Sequence, residues 1–325
     1  MDVNNHNDNA VNNDRNDRDD DDSDNDDNDA AAVARRIERR CKLKFILDRW
    51  DDFPFRQRNR IDELVNHCCD EIQEDIHDMI RDQEGYNDDD YHYNGLDGDR
   101  DTLDEVELAI RSFPDVLDGY NIQLLLFLHG DDGYYYNIKA ASFAHLFIRL
   151  AMEFNTFPDH ERGGLLNDEN YGFNALQSLS LDILSDTFEE NEKDQLDNIL
   201  MTELVRLKQM GLIMREDIQE FDLMTMLCCG QYFSTMRFRF LVEWNPNILL
   251  HTSEEVGRLP LHSIFHRGGG TLEAFRTVFE YGMSYFPNHQ GINLLFRKNS
   301  MNGETSFQIA CSRYGPKQVM HIMEE

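Results

Sequence analysis

From about Ala30 onward, apolar residues recur at the spacing of helix faces. Ile61, Leu64, Val65, Cys68, Ile72, Ile76 and Ile80 fall three and four apart, one stripe of a long helix that Gly85 ends. Phe143, Leu146, Phe147, Leu150, Ala151 and Phe154 form a second stripe that stops at Phe157-Pro158, because the residue before a proline is pushed out of the helical region. A further helix runs from Leu196 to Met210 and stops at Gly211, the other usual terminator. No run of alternating residues marks a strand. The pattern predicts an all-α body.

The helix stops repeat. Pro114, Pro158, Pro246 and Pro287 are separated by 44, 88 and 41 residues, and each is followed by Asp or Asn. Phe precedes three of them, at Phe113, Phe157 and Phe286. A period near 40 with two helices per unit predicts stacked helix pairs, a solenoid. The pairs are placed at roughly 121–154, 173–210, 217–244, 260–281 and 305–324. The chain then divides into a tail (1–30), an N-terminal helical region with an acidic loop (31–116) and the repeats (117–325).

Two turns in the C-terminal third carry a family signature. Gly257-Arg258-Leu259-Pro260-Leu261-His262 resembles the G-x-T-P-L-H opening of an ankyrin repeat. Gly303-Glu304-Thr305-Ser306-Phe307-Gln308-Ile309-Ala310-Cys311, followed by Tyr314-Gly315, looks like a second copy, and Tyr171-Gly172-Phe173-Asn174-Ala175-Leu176-Gln177 is a weaker third. The whole resembles the divergent, long-period ankyrin-like arrays common in algal genomes. The resemblance implies structural roles for Gly257, Pro260, Leu261, His262, Gly303, Thr305, Ala310 and Gly315. It departs from the family where Leu259 stands beside His262 in place of Thr, and where Gln308 stands beside Thr305 in place of His. Neither turn keeps both halves of the Thr–His brace, so the resemblance implies the helix stack and leaves open whether regular β-hairpin fingers form.

Charge narrows the function. The chain of 325 residues has 31 basic and 63 acidic side chains, a net charge of -32. Twelve Asp against Arg15 and Arg18 set residues 1–30 at -10 and the remainder at -22. That Asn/Asp tail has almost nothing to bury and is expected to be disordered. A body so negative repels phosphate backbones, which argues against nucleic-acid binding. The longest apolar run, Leu124 to Leu128, is far short of the ~20 residues a bilayer-crossing helix needs, and the N-terminus does not resemble a signal peptide. Cys41, Cys68, Cys69, Cys228, Cys229 and Cys311 do not form a disulfide framework and are expected as reduced thiols packed as small apolar groups, in cytoplasm or nucleus.

Several constellations suggest chemistry and fall short of it. His262 and His266 share a helix face, but no third ligand or general base accompanies them. His67-Cys68-Cys69 splits its thiols around a helix, with Cys68 on the apolar stripe. Gly268-Gly269-Gly270-Thr271 lacks the Lys and the preceding strand of a phosphate loop, and reads as a turn capped by Thr271. Asp90, His92, Asn94, Gly95 and Asp101 mimic a calcium loop, but His at the third position, Asp97 at the eighth and Asp at the twelfth break the pattern. The overlapping Asp97, Asp99, Asp101 series fails where Thr102 replaces the required Gly. No G-x-S-x-G nucleophile motif is present.

The expectation is therefore a non-catalytic protein-interaction scaffold without cofactor or metal, monomeric, whose partner presents a basic surface. Tyr134, Tyr135 and Tyr136, in a turn between paired helices, are the candidate contacts, since tyrosine offers large area at low entropic cost. The alternatives are a calcium-responsive acidic protein, and an enzyme or metalloprotein with its site in the N-terminal helical region.

Overall fold

The computed structural model describes residues 25–81, 95–118, 122–130, 133–167, 173–181, 190–230, 232–253, 257–266 and 270–324. Contacts divide the chain into two units, Met1–Asp70 and Glu71–Glu325. The division falls within the region 31–116. The described chain is mostly helical, and no helix in it is long and apolar enough to cross a membrane.

Helix α1 spans Asn25–Asp48 and α2 Phe55–Arg81. The start of α1 lies inside the segment composition assigned to the tail. The rest of that segment, residues 1–24, lies outside the described residues.

The second unit continues with α3 (Leu103–Ser112), α4 (Ile122–Leu126), strands β1 (Phe127–Gly130) and β2 (Gly133–Tyr136), and α5 (Ala144–Glu153). Then come α6 (Ala175–Ser180), α7 (Glu190–Gln209), α8 (Asp217–Glu220), α9 (Leu223–Cys229) and α10 (Thr235–Trp244). The chain closes with α11 (Pro260–Ser263), α12 (Leu272–Tyr285), α13 (His289–Phe296), α14 (Ser306–Tyr314) and α15 (Pro316–Glu324). Short and long helices form two layers. The short ones pack in order, α4 on α6, α6 on α9, α9 on α11 and α11 on α14, while α3, α5, α7, α10 and α12 do the same on the other side. Helix α7 shows why: Leu196, Leu200, Leu204 and Leu207 share its buried face, and Asn191, Asp194, Gln195, Asn198 and Thr202 its exposed one.

The proline stops recur as geometry. Phe113, Asn245 and Phe286 close α3, α10 and α12 with φ of -137°, -138° and -127° and ψ of 70°, 83° and 69°. All are held out of the helical region by the proline that follows. Across α3 and α5, Arg149 and Arg111 both grip Glu107 and hold its carboxyl down to about 2.

One element was not legible in the sequence. Residues placed in helices or their turn form an antiparallel hairpin, with Phe127 opposite Tyr136 and Gly130 opposite Gly133. Each strand is four residues long, too short for alternation to register, and the ribbon is held by the Phe127–Tyr136 ring pair at 4.7 Å. The thiols also differ from expectation. Cys228 and Cys229 are buried, and burial pushes the Cys228 thiol well up, but Cys41, Cys68 and Cys69 are exposed. Periodicity reveals an apolar face; it does not reveal whether anything covers it.

Candidate interaction groove

The two strongest sequence signatures adopt one local structure. The Ser253 N–H donates to Arg258 O at 2.9 Å, and 46 residues further on Asn299 N–H donates to Glu304 O, also at 2.9 Å. Gly257 and Gly303 take matching left-handed φ of 58° and 72°, a conformation that strains any side chain. At the second turn Lys298 and Thr305 form an isolated antiparallel β-bridge. Leu261 and Ala310 are buried, Pro260 opens α11, and Gly315 closes α14 at φ 87°.

The missing halves of the brace are replaced by backbone. The Leu259 N–H donates to Nδ1 of buried His262 at 3.2 Å, just as the Thr305 N–H donates to Gln308 Oε1 at 3.0 Å. His262 Nε2 then donates to Arg297 O at 3.1 Å, which fixes the neutral tautomer and leaves neither nitrogen for a metal shared with His266. Gln177, at the end of the third copy, and Gln123, not singled out in the sequence, act alike: Gln177 Nε2 donates to Phe221 O at 3.1 Å, and Gln123 Nε2 to Phe173 O. Each ties one short helix to the backbone of a segment 35 to 50 residues ahead. The signal was present as a polar side chain on an otherwise apolar helix.

His262→Ala is expected to lower stability by about 1–2 kcal/mol, the cost of buried groups losing hydrogen bonds. His262→Gln should recover most of it. Burial holds the imidazole below its ordinary 6.5, outweighing the Arg297 carbonyl that favours the proton. The folded state therefore binds that proton less readily than the unfolded chain, so this stability is present above pH 6.5 and lost as pH falls through the folded value. Urea melts of wild type and His262→Gln at several pH values check this; the Gln variant should lose that component of the acid sensitivity.

A groove of about 630 Å³ runs along the exposed face of α7, past Asn191, Asp194, Gln195, Asn198, Thr202 and Glu203 to Arg206. A smaller depression of about 170 Å³ extends it through Ser142, Gln195 and Ile199 to Asp97, Asp99 and Lys139. Its two ends are held firmly. At one, buried Glu203 accepts from the His145 N–H at 2.9 Å and from Arg206 at 2.8 Å, with His145 Nδ1 2.9 Å away. At the other, Asp97 accepts from Lys139 Nζ at 2.9 Å and from the Asp99 N–H at 3.0 Å. Burial raises the Asp97 carboxyl, but those donors together hold it below the usual range. Asp101, held low by the Arg100 hydrogen bond against burial, accepts from the Asp97 N–H. These carboxylates are thus turned to the protein's own donors. Asp90, His92 and Asn94 of the calcium-like series lie outside the described residues, and among the described ones no three His, Cys, Asp or Glu side chains are grouped to hold a metal.

The tyrosine expectation needs correction at one position. Tyr136 is buried, and its hydroxyl donates to the carbonyls of Ser178 and Leu181 at the end of α6, so it is a core strut and not a contact surface. Tyr134 and Tyr135 lie on β2 opposite His129 and Leu128, and their side chains lie outside the described residues. Composition could not find the groove, because the polar face of α7 reads like any solvated helix face until the neighbouring loops rise beside it.

No known protein family matches the chain, and no curated protein or solved structure matches it significantly.

Proposed function

We propose that the second unit is a solenoid of ankyrin-like helix pairs serving as a non-catalytic scaffold, whose groove along α7 receives a basic segment of a partner protein. The observation that carries this reading is the groove's make-up: an exposed polar row on a rigid helix, with Asp97, Asp99, Asp194 and Glu203 against Lys139 and Arg206. Exposed Asp99 and Asp194 supply negative charge to it, which favours a basic segment and fast, salt-sensitive association. The hairpin bearing Tyr134 and Tyr135 belongs to the same reading as a second contact.

The test compares two charge reversals. Asp99→Lys/Asp194→Lys is expected to abolish capture of the partner from native lysate, while Glu220→Lys/Glu273→Lys, equal in charge and away from the groove, retains it. Wild-type capture should weaken as salt rises. A partner that is acidic, or that is held equally by both variants, would refute the proposal.

A further inference from the structure

Helix α2 carries an apolar seam that stays largely uncovered among the described residues. Leu64 is 54% and Ile72 47% exposed, Cys68 is exposed, and Ile61 and Val65 are only half-buried. Only the end of the stripe, Ile76, Met79 and Ile80, joins a packed core. The exposed part follows the alternating four- and three-residue spacing of a coiled coil: Ile61, Val65, Cys68, Ile72. Continuing that spacing by three residues in each direction reaches Arg58 on one side and Asp75 on the other. The seam is therefore flanked by a cation at one end and an anion at the other. A sequence of that kind is complementary to itself only when two copies run antiparallel.

We propose that two copies of this chain associate through α2 as an antiparallel, two-fold symmetric pair. In the register that opposes the coiled-coil positions, Ile61 meets Ile72 of the second copy and Val65 meets Cys68, and by symmetry each contact occurs twice. Arg58 then faces Asp75 at both ends, closing the apolar layers with opposite charges. A parallel pair would set Arg58 against Arg58 and Asp75 against Asp75, so charge selects the antiparallel arrangement. Two observations on the free chain fit this role. Arg58 is held over the Trp50 ring at 5.1 Å, so its guanidinium is positioned in advance, and its buried Nε has no hydrogen-bond partner among the described residues. Asp75 is exposed. This departs from the expectation of a monomer.

Sedimentation velocity of the full chain over a concentration series tests the pair. Wild type is expected to shift from monomer to dimer as concentration rises, and Ile72→Asp to raise the dissociation constant roughly tenfold or more. Arg58→Asp and Asp75→Arg should each weaken the dimer, and the double variant Arg58→Asp/Asp75→Arg should restore it, an outcome that a general loss of folding cannot produce. Val65→Cys should crosslink to Cys68 of the second copy under mild oxidation, whereas Asn66→Cys should not. A wild type that stays monomeric throughout would overturn the proposal and leave the seam to a different partner. A dimer indifferent to Ile72→Asp, or not restored by the double swap, would overturn it as well.

Discussion

Arg237→Ala is expected to cost about 3–5 kcal/mol, enough to unfold much of the second unit's population under mild denaturant. Arg237 is 1% exposed, and its Nε donates to buried Asp197 on α7 at 2.6 Å. Its Nη1 donates to the Leu179 and Ser180 carbonyls at 3.1 and 3.3 Å, while the Ser234 hydroxyl donates to the other Asp197 oxygen at 2.8 Å. With Tyr136 on the carbonyls of Ser178 and Leu181, the unpaired end of α6 is satisfied from both sides. Truncation leaves a buried carboxylate without its cation and two carbonyls without donors. Urea melts followed by circular dichroism check this. The double variant Asp197→Asn/Arg237→Met should recover part of the loss, because removing both charges avoids the stranded one.

Asp217→Ala should be nearly as damaging, at about 3 kcal/mol or more. Its carboxylate is 2% exposed and accepts from both terminal guanidinium nitrogens of Arg162, at 2.5 and 3.1 Å, together with the Met214 N–H at 2.6 Å. Arg162 also donates to the Leu212 carbonyl, so one contact joins two loops between helix pairs. It does this from a left-handed φ of 49°, followed by Gly163 and Gly164 at 67° and 85°. A non-glycine residue stays in that conformation only where its surroundings hold it. Asp217→Ala should therefore also loosen residues 159–166, seen as faster amide exchange there than Asp217→Asn produces.

Much of the architecture was legible because it is written in local chemistry. The helix stripes at 143–154 and 196–210 and the stops at Pro114, Pro246 and Pro287 depend on residues a few positions apart, and the helices fall where those residues place them. The turns at Gly257 and Gly303 are similarly local, since left-handed backbone and N-cap geometry are decided within six residues. What tertiary structure alone decided involves partners far apart in the chain. Arg237 with Asp197, Arg162 with Asp217 and Gln177 with the Phe221 carbonyl join positions 40 to 55 residues apart, and no periodicity specifies which polar side chain on an apolar helix will meet which. Tyr136 looked like a surface aromatic until the hairpin turned it beneath α6. The apolar stripe of α2 joins the core at Ile76 and Ile80, yet Leu64, Cys68 and Ile72 on the same helix stay exposed. Hydrophobic pattern determines which face a helix must hide; the packing of distant segments decides whether this chain hides it or leaves it exposed.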